Sequence, residues 1–260
     1  MITGKNNPKI KYVSQLQKSA QARADNGLFV VEGVRLTREV PAELLSEVFV
    51  SESFSQKTSD FTEIAAVCEK AGISCETVTD DIFAKMSDTK NPQGILATVR
   101  QPAWSFDDIT ASGGAVLVLE EIQDPGNLGT ILRSSEAAGL NGIIMAGCAD
   151  IFNPKVVRST MGSIFRVPFC FTDNIEKTIA LLHGRGYSVY AAHLGGTDLY
   201  ESDIQKKAAF LIGNEGRGLK DATSAAADRL IKIPMSGQVE SLNASIAATL
   251  LAYEWCRRNL

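Results

Sequence analysis

Histidine is scarce, with two in 260 residues, so a histidine-rich metal centre is excluded. The five cysteines are odd in number and scattered, and no C-x-x-C pair occurs, which speaks against both a disulfide framework and a zinc ribbon and favours reduced thiols. No stretch reaches the roughly 18 uncharged apolar residues that a membrane-spanning helix requires. The opening MITGKNNPKIKYVSQLQ lacks the apolar centre of a secretion signal, so a cytoplasmic location is expected. Internal repeats and low-complexity tracts are missing too. With 45% hydrophobic and 22% charged residues, the composition is that of a chain with a substantial core.

Acidic residues are also missing from the first 24 positions, which carry Lys5, Lys9, Lys11, Lys18 and Arg23, although the net charge of the whole chain is −4. A basic arm on an acidic protein suggests a polyanionic partner such as nucleic acid; the plainer alternative is a solvated helix.

Short β-rich runs alternate with helical patterns, the signature of an α/β architecture. Strands are predicted at 28–33, 47–51, 74–79 and 94–99, with helices at 34–45, 60–71 and 80–87. Residues 101–114 lose the periodicity and contain Pro102, Gly113 and Gly114, which predicts a linker. Then comes AVLVLEEI (115–122), a near-continuous apolar run typical of a strand buried on both faces. Further strands are predicted at 141–146, 163–169, 188–194, 208–213 and 229–235, and helices at 128–139, 154–161, 174–184, 219–226 and 241–258. The expected division is a domain at 1–103, a linker at 104–113 and a domain at 114–260.

Three constellations stand out in the second part. In DPGNLGTILRSSEAAG (124–139), Asn127 is a plausible helix cap, Leu128, Ile131, Leu132 and Ser135 share one face, and Arg133 adjoins Glu136 on the helix surface. In AAFLIGNEGRGL (208–219), a buried strand runs into three glycines within six residues, which permits close backbone approach to a ligand. The order is G-x-x-G-x-G, not the dinucleotide fingerprint, and Leu219 stands where a phosphate-binding loop needs lysine. In IPMSGQVESLNASIAATLLAYEWCRRNL (233–260), a polar loop leads into a long helix that Ser241 is placed to cap; Leu242, Ile246, Leu250 and Tyr253 form its apolar stripe.

Together, N-L-G-T-I-L-R-S-S-E-A-A-G (127–139), L-I-G-N-E-G-R-G-L (211–219) and I-P-M-S-G-Q-V-E-S-L-N-A-S (233–245) resemble, in order and spacing, the three motifs of the SpoU/TrmH family of RNA ribose 2′-O-methyltransferases, within the SPOUT superfamily. F-V-V-E-G-V-R-L (29–36) and N-P-Q-G-I-L-A-T-V (91–99) are similar to the family's small α/β substrate-binding domain. The resemblance implies a C-terminal parallel-sheet SPOUT domain with a deep trefoil knot over roughly 185–260, a rare exception to the rule that chains do not knot. It also implies S-adenosyl-L-methionine as cofactor, no metal, a homodimer, and RNA, in particular ribosomal RNA, as partner. A transfer-RNA ribose methyltransferase and a non-catalytic RNA-binding SPOUT protein are the alternatives.

By the same resemblance the catalytic residues are Arg133, Asn127, Glu215, Ser241 and Asn243, with Glu215 orienting Arg133. Cofactor contacts fall on Gly213, Ile233, Leu242, Leu194 and Gly195. The implied difficulty is the ribose hydroxyl, a poor nucleophile at neutral pH. An arginine's guanidinium holds its proton in proteins, so binding of the neighbouring phosphate and stabilisation of a developing alkoxide compete with the role of base for Arg133. The second motif departs from the family in Asn214, where a serine or another small residue is common.

Overall fold

The computed structural model describes residues 1–4, 6–56 and 58–260. The described residues form two compact units: one comprises 1–102 and 152–165, the other 103–151 and 166–260.

In the first unit, β1 (Leu28–Glu32), β2 (Leu45–Ser51), β3 (Ser74–Val78) and β4 (Ile95–Arg100) form one sheet in the order β1-β4-β2-β3. Strand β4 pairs antiparallel with β1 and β2, and β2 pairs parallel with β3. The core on this sheet includes Val30, Phe49, Val78, Ile82, Phe83 and Leu96.

The N-terminal residues enter this same core. Helices Pro8–Lys18 and Ala20–Asn26 bury Ile10, Val13, Leu16 and Ala22. Of the basic residues there, Lys9 pairs with Glu47 and Glu76, and Arg23 is buried, donating to the carbonyls of Leu16 and Gln17 at 2.6 and 3.2 Å. Lys5 lies outside the described residues. The segment is therefore an integral helix pair, and the free basic arm suggested by its charge is corrected: apolar spacing at 10, 13 and 16 outweighs the run of positive charge.

The second unit is a six-stranded sheet, parallel throughout, built from β5 (Val116–Glu120), β6 (Gly142–Ala146), β7 (Phe169–Phe171), β8 (Ser188–Asp198), β9 (Ala208–Ile212) and β10 (Arg229–Lys232), in the order β10-β8-β9-β5-β6-β7. Every residue of β5 and β9 is buried, as their unbroken apolar runs require. Because all six strands point the same way, their carboxyl ends share one edge, and β10, β8, β9 and β5 are consecutive neighbours along it.

Three expectations change. The linker holds a helix, Phe106–Thr110, closed by a reciprocal box in which the Ser105 hydroxyl accepts from the Asp108 amide and Asp108 accepts from the Ser105 amide; Ile109 is fully buried in the second unit. The strand expected at 163–169 is a 3-10 turn, Ser163–Phe165, followed by the three-residue β7. Gly162, with φ of 95°, and Pro168, which has no N–H, prevent one continuous strand. Finally, residues 152–165, expected within the second domain, pack with the first unit, where the rings of Phe152 and Phe165 lie 5.0 and 6.1 Å from that of Phe29.

Leu16 is fully buried in the first unit, so Leu16→Ala should destabilise the protein by about 2–4 kcal/mol, read as a lower urea midpoint. A change under about 0.5 kcal/mol would mean that the N-terminal helices are not part of the cooperative core.

Candidate active site at the carboxyl edge of the parallel sheet

The site begins where β5 ends. Glu121 takes a left-handed conformation, φ 55°, and the chain turns into helix Pro125–Ala137. The cap of this helix is Asp124, whose side chain accepts from the Asn127 amide at 2.8 Å, with Pro125 in the first turn. Asn127 therefore lies inside the helix rather than capping it, which releases its side chain for another use.

That use is a chain of polar contacts across three segments. The Asn127 Nδ2 group donates to Glu215 Oε1 at 3.1 Å, and Asn127 Oδ1 accepts from Asn243 Nδ2 at 2.9 Å. Asn243 Oδ1 accepts from the Ser245 amide at 2.9 Å and the Ser245 hydroxyl at 2.6 Å, so Asn243, not Ser241, caps the final helix Ala244–Asn259. Glu215 also accepts from the backbone amides of Asp124 at 3.0 Å and Gln123 at 3.2 Å. Burial pushes the Glu215 carboxyl up, but the donors from Asn127, Asp124 and Gln123 outweigh it and hold the group below the usual carboxylate range.

Asn214 closes the glycine-rich loop. Its Oδ1 accepts from the amides of Gly216 and Arg217, and its Nδ2 donates to the Glu121 carbonyl at 2.8 Å. Asn214 and Gly218 exchange backbone hydrogen bonds at 3.0 and 2.9 Å. The residue that departs from the family pattern thus fastens its loop to the end of β5. Arg217 and Lys220 both pair with Glu121, and the buried Glu120 carboxylate accepts from the Lys220 amide and the Thr223 hydroxyl.

Gly213 is required by close approach: a Cβ there would stand 2.1 Å from the backbone carbon of Gly218. A second close passage lies on β8. Its pairing with β10 jumps from Ala191–Leu230 to Thr197–Ile231, so residues 192–196 bulge out, and a Cβ on Gly196 would stand 2.5 Å from the backbone of Leu230 and Ile231. Leu194 and Gly195 lie on this bulge, with Leu194 exposed. Ile233 and Leu242 bracket a segment, 233–243, that belongs to no helix or strand.

The structure thus joins Asn127, Glu215 and Asn243 directly. Ser241 is exposed and makes no hydrogen bond among the described residues. Arg133 is exposed on helix Pro125–Ala137 and likewise makes none. Among the described residues Glu215 accepts from the Asn127 side chain and the Asp124 and Gln123 amides, and no hydrogen bond or ion pair joins it to Arg133. Glu136 pairs with Arg166 and not with its helix neighbour Arg133. Asp124 and Ser245 are the members of the network that motif reading left off its list; a proline one residue after Asp124 is the signal for the first.

The sequence profile of the SpoU rRNA Methylase family matches residues 114–253, and that of the MRM3-like substrate binding domain matches residues 7–97. The chain is 34% identical over 254 residues to the 23S rRNA (guanosine(2553)-2′-O)-methyltransferase RlmP of Bacillus subtilis, covering 97% of each. It is 35% identical over 177 residues to the 23S rRNA (uridine(2479)-2′-O)-methyltransferase of Streptomyces viridochromogenes, covering 65% of this chain and 62% of that one. Among solved structures, the AdoMet-bound rRNA methyltransferase from Sinorhizobium meliloti aligns with a TM-score of 0.88 and 30% identity, over 100% of this chain and 98% of that one.

Glu215→Ala would orphan the Asn127 amide and two backbone N–H groups, at a cost of about 1–2 kcal/mol given the exposure of Glu215. The depressed folded pKa means that this stability is full above the ordinary glutamate range and is lost as pH falls through the folded value. The gap between the urea midpoints of wild type and variant should therefore narrow progressively as pH falls below the ordinary glutamate range. An equal gap at pH 7 and pH 3 would show that the carboxylate charge contributes nothing.

Proposed function

Because the chain belongs to the SpoU rRNA methylase family, we propose that it transfers the methyl group of S-adenosylmethionine to the 2′-oxygen of a ribose in ribosomal RNA. The observation that carries this reading is the Asn127–Glu215–Asn243 network, which lies within the matched span and ties the three motif loops together at one sheet edge. The two named relatives modify different bases, guanosine and uridine, so what they share addresses the ribose.

The bulge of β8 and the loops after β9 and β10 suit the cofactor. Gly213 and Gly196 bring backbones together where a side chain would collide, Leu194, Ile233 and Leu242 offer apolar contact, and 233–243 leaves backbone amides and carbonyls outside regular structure for the edge of an adenine. When bound, S-adenosylmethionine supplies a methyl group on a sulfonium, an electrophile that needs no metal assistance. As the C–O bond forms and the C–S bond breaks, the hydroxyl proton leaves to solvent, so the protein has to position the hydroxyl and offset the negative charge that develops on its oxygen. Arg133, solvent-facing and without a partner among the described residues, is assigned to the ribose and its phosphate, where the charged fork stabilises the developing alkoxide. Asn127 and Asn243, held by Glu215, are positioning residues for the loops. Ser241, at the mouth of the 233–243 segment, is assigned to the substrate side.

Three further features belong to the same reading. A trefoil knot within 185–260 is supported by the close backbone passages at Gly196 and Gly213, and by the final helix, whose Arg258 and Trp255 donate to carbonyls of Leu199, Tyr200, Ser202 and Lys206 on the β8–β9 connection. A homodimer is supported by the final helix, which buries Ala244, Ala248, Leu251, Ala252 and Trp255. Of the helix's apolar stripe, Ile246 and Tyr253 are left about half exposed, at 48% and 49%. Among the described residues no helix is long and apolar enough to cross a membrane, and a cytoplasmic location fits a ribosomal RNA substrate.

Mapping of 2′-O-methyl positions in ribosomal RNA from cells with and without the protein should reveal one lost site; an unchanged map would overturn the reading. Arg133→Ala should lower methyl transfer by at least about a hundredfold while leaving the calorimetric affinity for S-adenosylmethionine within about twofold. Parallel loss of cofactor affinity would make Arg133 structural. Sedimentation at micromolar concentration should show two chains per particle, and only monomer would contradict the dimer.

A further inference from the structure

The first unit contains a cavity of about 330 Å³. Its floor is set by Glu32 at the end of β1. This buried carboxylate accepts from the Ser87 and Thr89 hydroxyls and the Asp88 amide, fixing the loop between helix Asp80–Met86 and β4. Leu36 and Met161 provide apolar walls, Asn91 and Gln93 provide amides, and Arg35 and Arg158 provide guanidinium groups.

One feature of this lining is unexplained by folding alone. Arg158 donates from Nη2 to Asp88 at 2.9 Å, yet its Nη1 is buried and has no acceptor among the described residues. A buried, unpaired guanidinium N–H is costly and calls for an acceptor from outside the chain. Met161 closes helix Pro154–Thr160 in the left-handed region at φ 51°, a conformation that glycine would adopt without strain, and it lines the cavity. Arg35 is exposed and unpaired among the described residues.

We propose that this cavity receives one unpaired nucleobase of the RNA substrate, with the adjoining phosphate on Arg35; the proposal rests on the RNA-methylating function given above. The chemistry matches: a nucleobase has a flat apolar face for Leu36 and Met161, and carbonyl and ring-nitrogen acceptors for Arg158 Nη1 and the amides. The volume lies at the small end of ligand pockets, which suits a single base and excludes a stacked pair. Sequence-dependent RNA recognition works mainly on unstacked bases of loops and bulges, so this pocket would select a looped target that the ribose-directed loops cannot distinguish.

The test uses the full-length protein, a fluorescein-labelled ten-nucleotide single-stranded RNA, and host ribosomal RNA lacking the modification. Arg35→Ala should weaken oligonucleotide binding about tenfold and flatten its salt dependence by roughly 0.7 log units per log unit of salt, the signature of one lost phosphate contact. Met161→Gly, which the backbone accepts, should weaken binding by a similar factor with the salt slope unchanged. Both variants should keep wild-type affinity for S-adenosylmethionine, which shows that the fold and the other site are intact. A 4-thiouridine oligonucleotide should crosslink within 32–36, 89–93 or 158–162. If wild type methylates ribosomal RNA while both variants bind the oligonucleotide as wild type does, or if crosslinks map only elsewhere, the cavity proposal fails and the enzymatic reading stands. If wild type methylates no ribosomal RNA, the enzymatic reading fails and takes this proposal with it.

Discussion

A carboxylate can accept hydrogen bonds and cannot donate them, and that asymmetry at Glu215 sets the polarity of the whole site. Glu215 faces the Asn127 amide, so Asn127 has to turn its NH2 group toward it. The Asn127 carbonyl oxygen is then left for Asn243, which must present its own NH2 group. The Asn243 oxygen consequently points at the first amides of the final helix and caps it. Three segments far apart in sequence are thereby locked in one arrangement by a single acceptor-only group. Any break in the chain leaves a polar group unpaired, so the loops hold together or loosen together.

Much of the architecture is written in hydrophobic periodicity. The unbroken apolar runs of β5 and β9 announce strands covered on both faces, and the stripe Leu128, Ile131, Leu132 and Ser135 lies wholly inside. The motifs likewise point to the loops that converge. What spacing cannot show is which of several small polar residues caps a helix. Asp124 and Asn127 are both good caps, and Ser241 competes with Asn243; the winner depends on Glu215, more than eighty residues downstream of the first pair. The apolar stripe of the final helix misleads for a related reason. Thr249 bonds Ser134 of helix Pro125–Ala137 at 2.8 Å, and the inner face is taken by Ala244, Ala248 and Ala252 with Leu251 and Trp255, which leaves Ile246 and Tyr253 about half exposed.

Charge is the weakest guide in this chain. The acid-free N-terminus looks like a free polycation, but Lys9 is neutralised by two glutamates from β2 and β3 and Arg23 is consumed by backbone carbonyls. Arg35 and Arg133, which make no hydrogen bond or ion pair among the described residues, are unremarkable by local composition.

The excursion of residues 152–165 has a consequence for how the molecule comes into being. The first unit is not finished at Pro102; its aromatic cluster lacks Phe152 and Phe165 until the chain has passed them. During synthesis the chain of the first unit is complete only at residue 165, after β5 and β6 of the second unit have emerged. A cut in the peptide near residue 102 would not free an intact first piece, because the polypeptide crosses between the units three times.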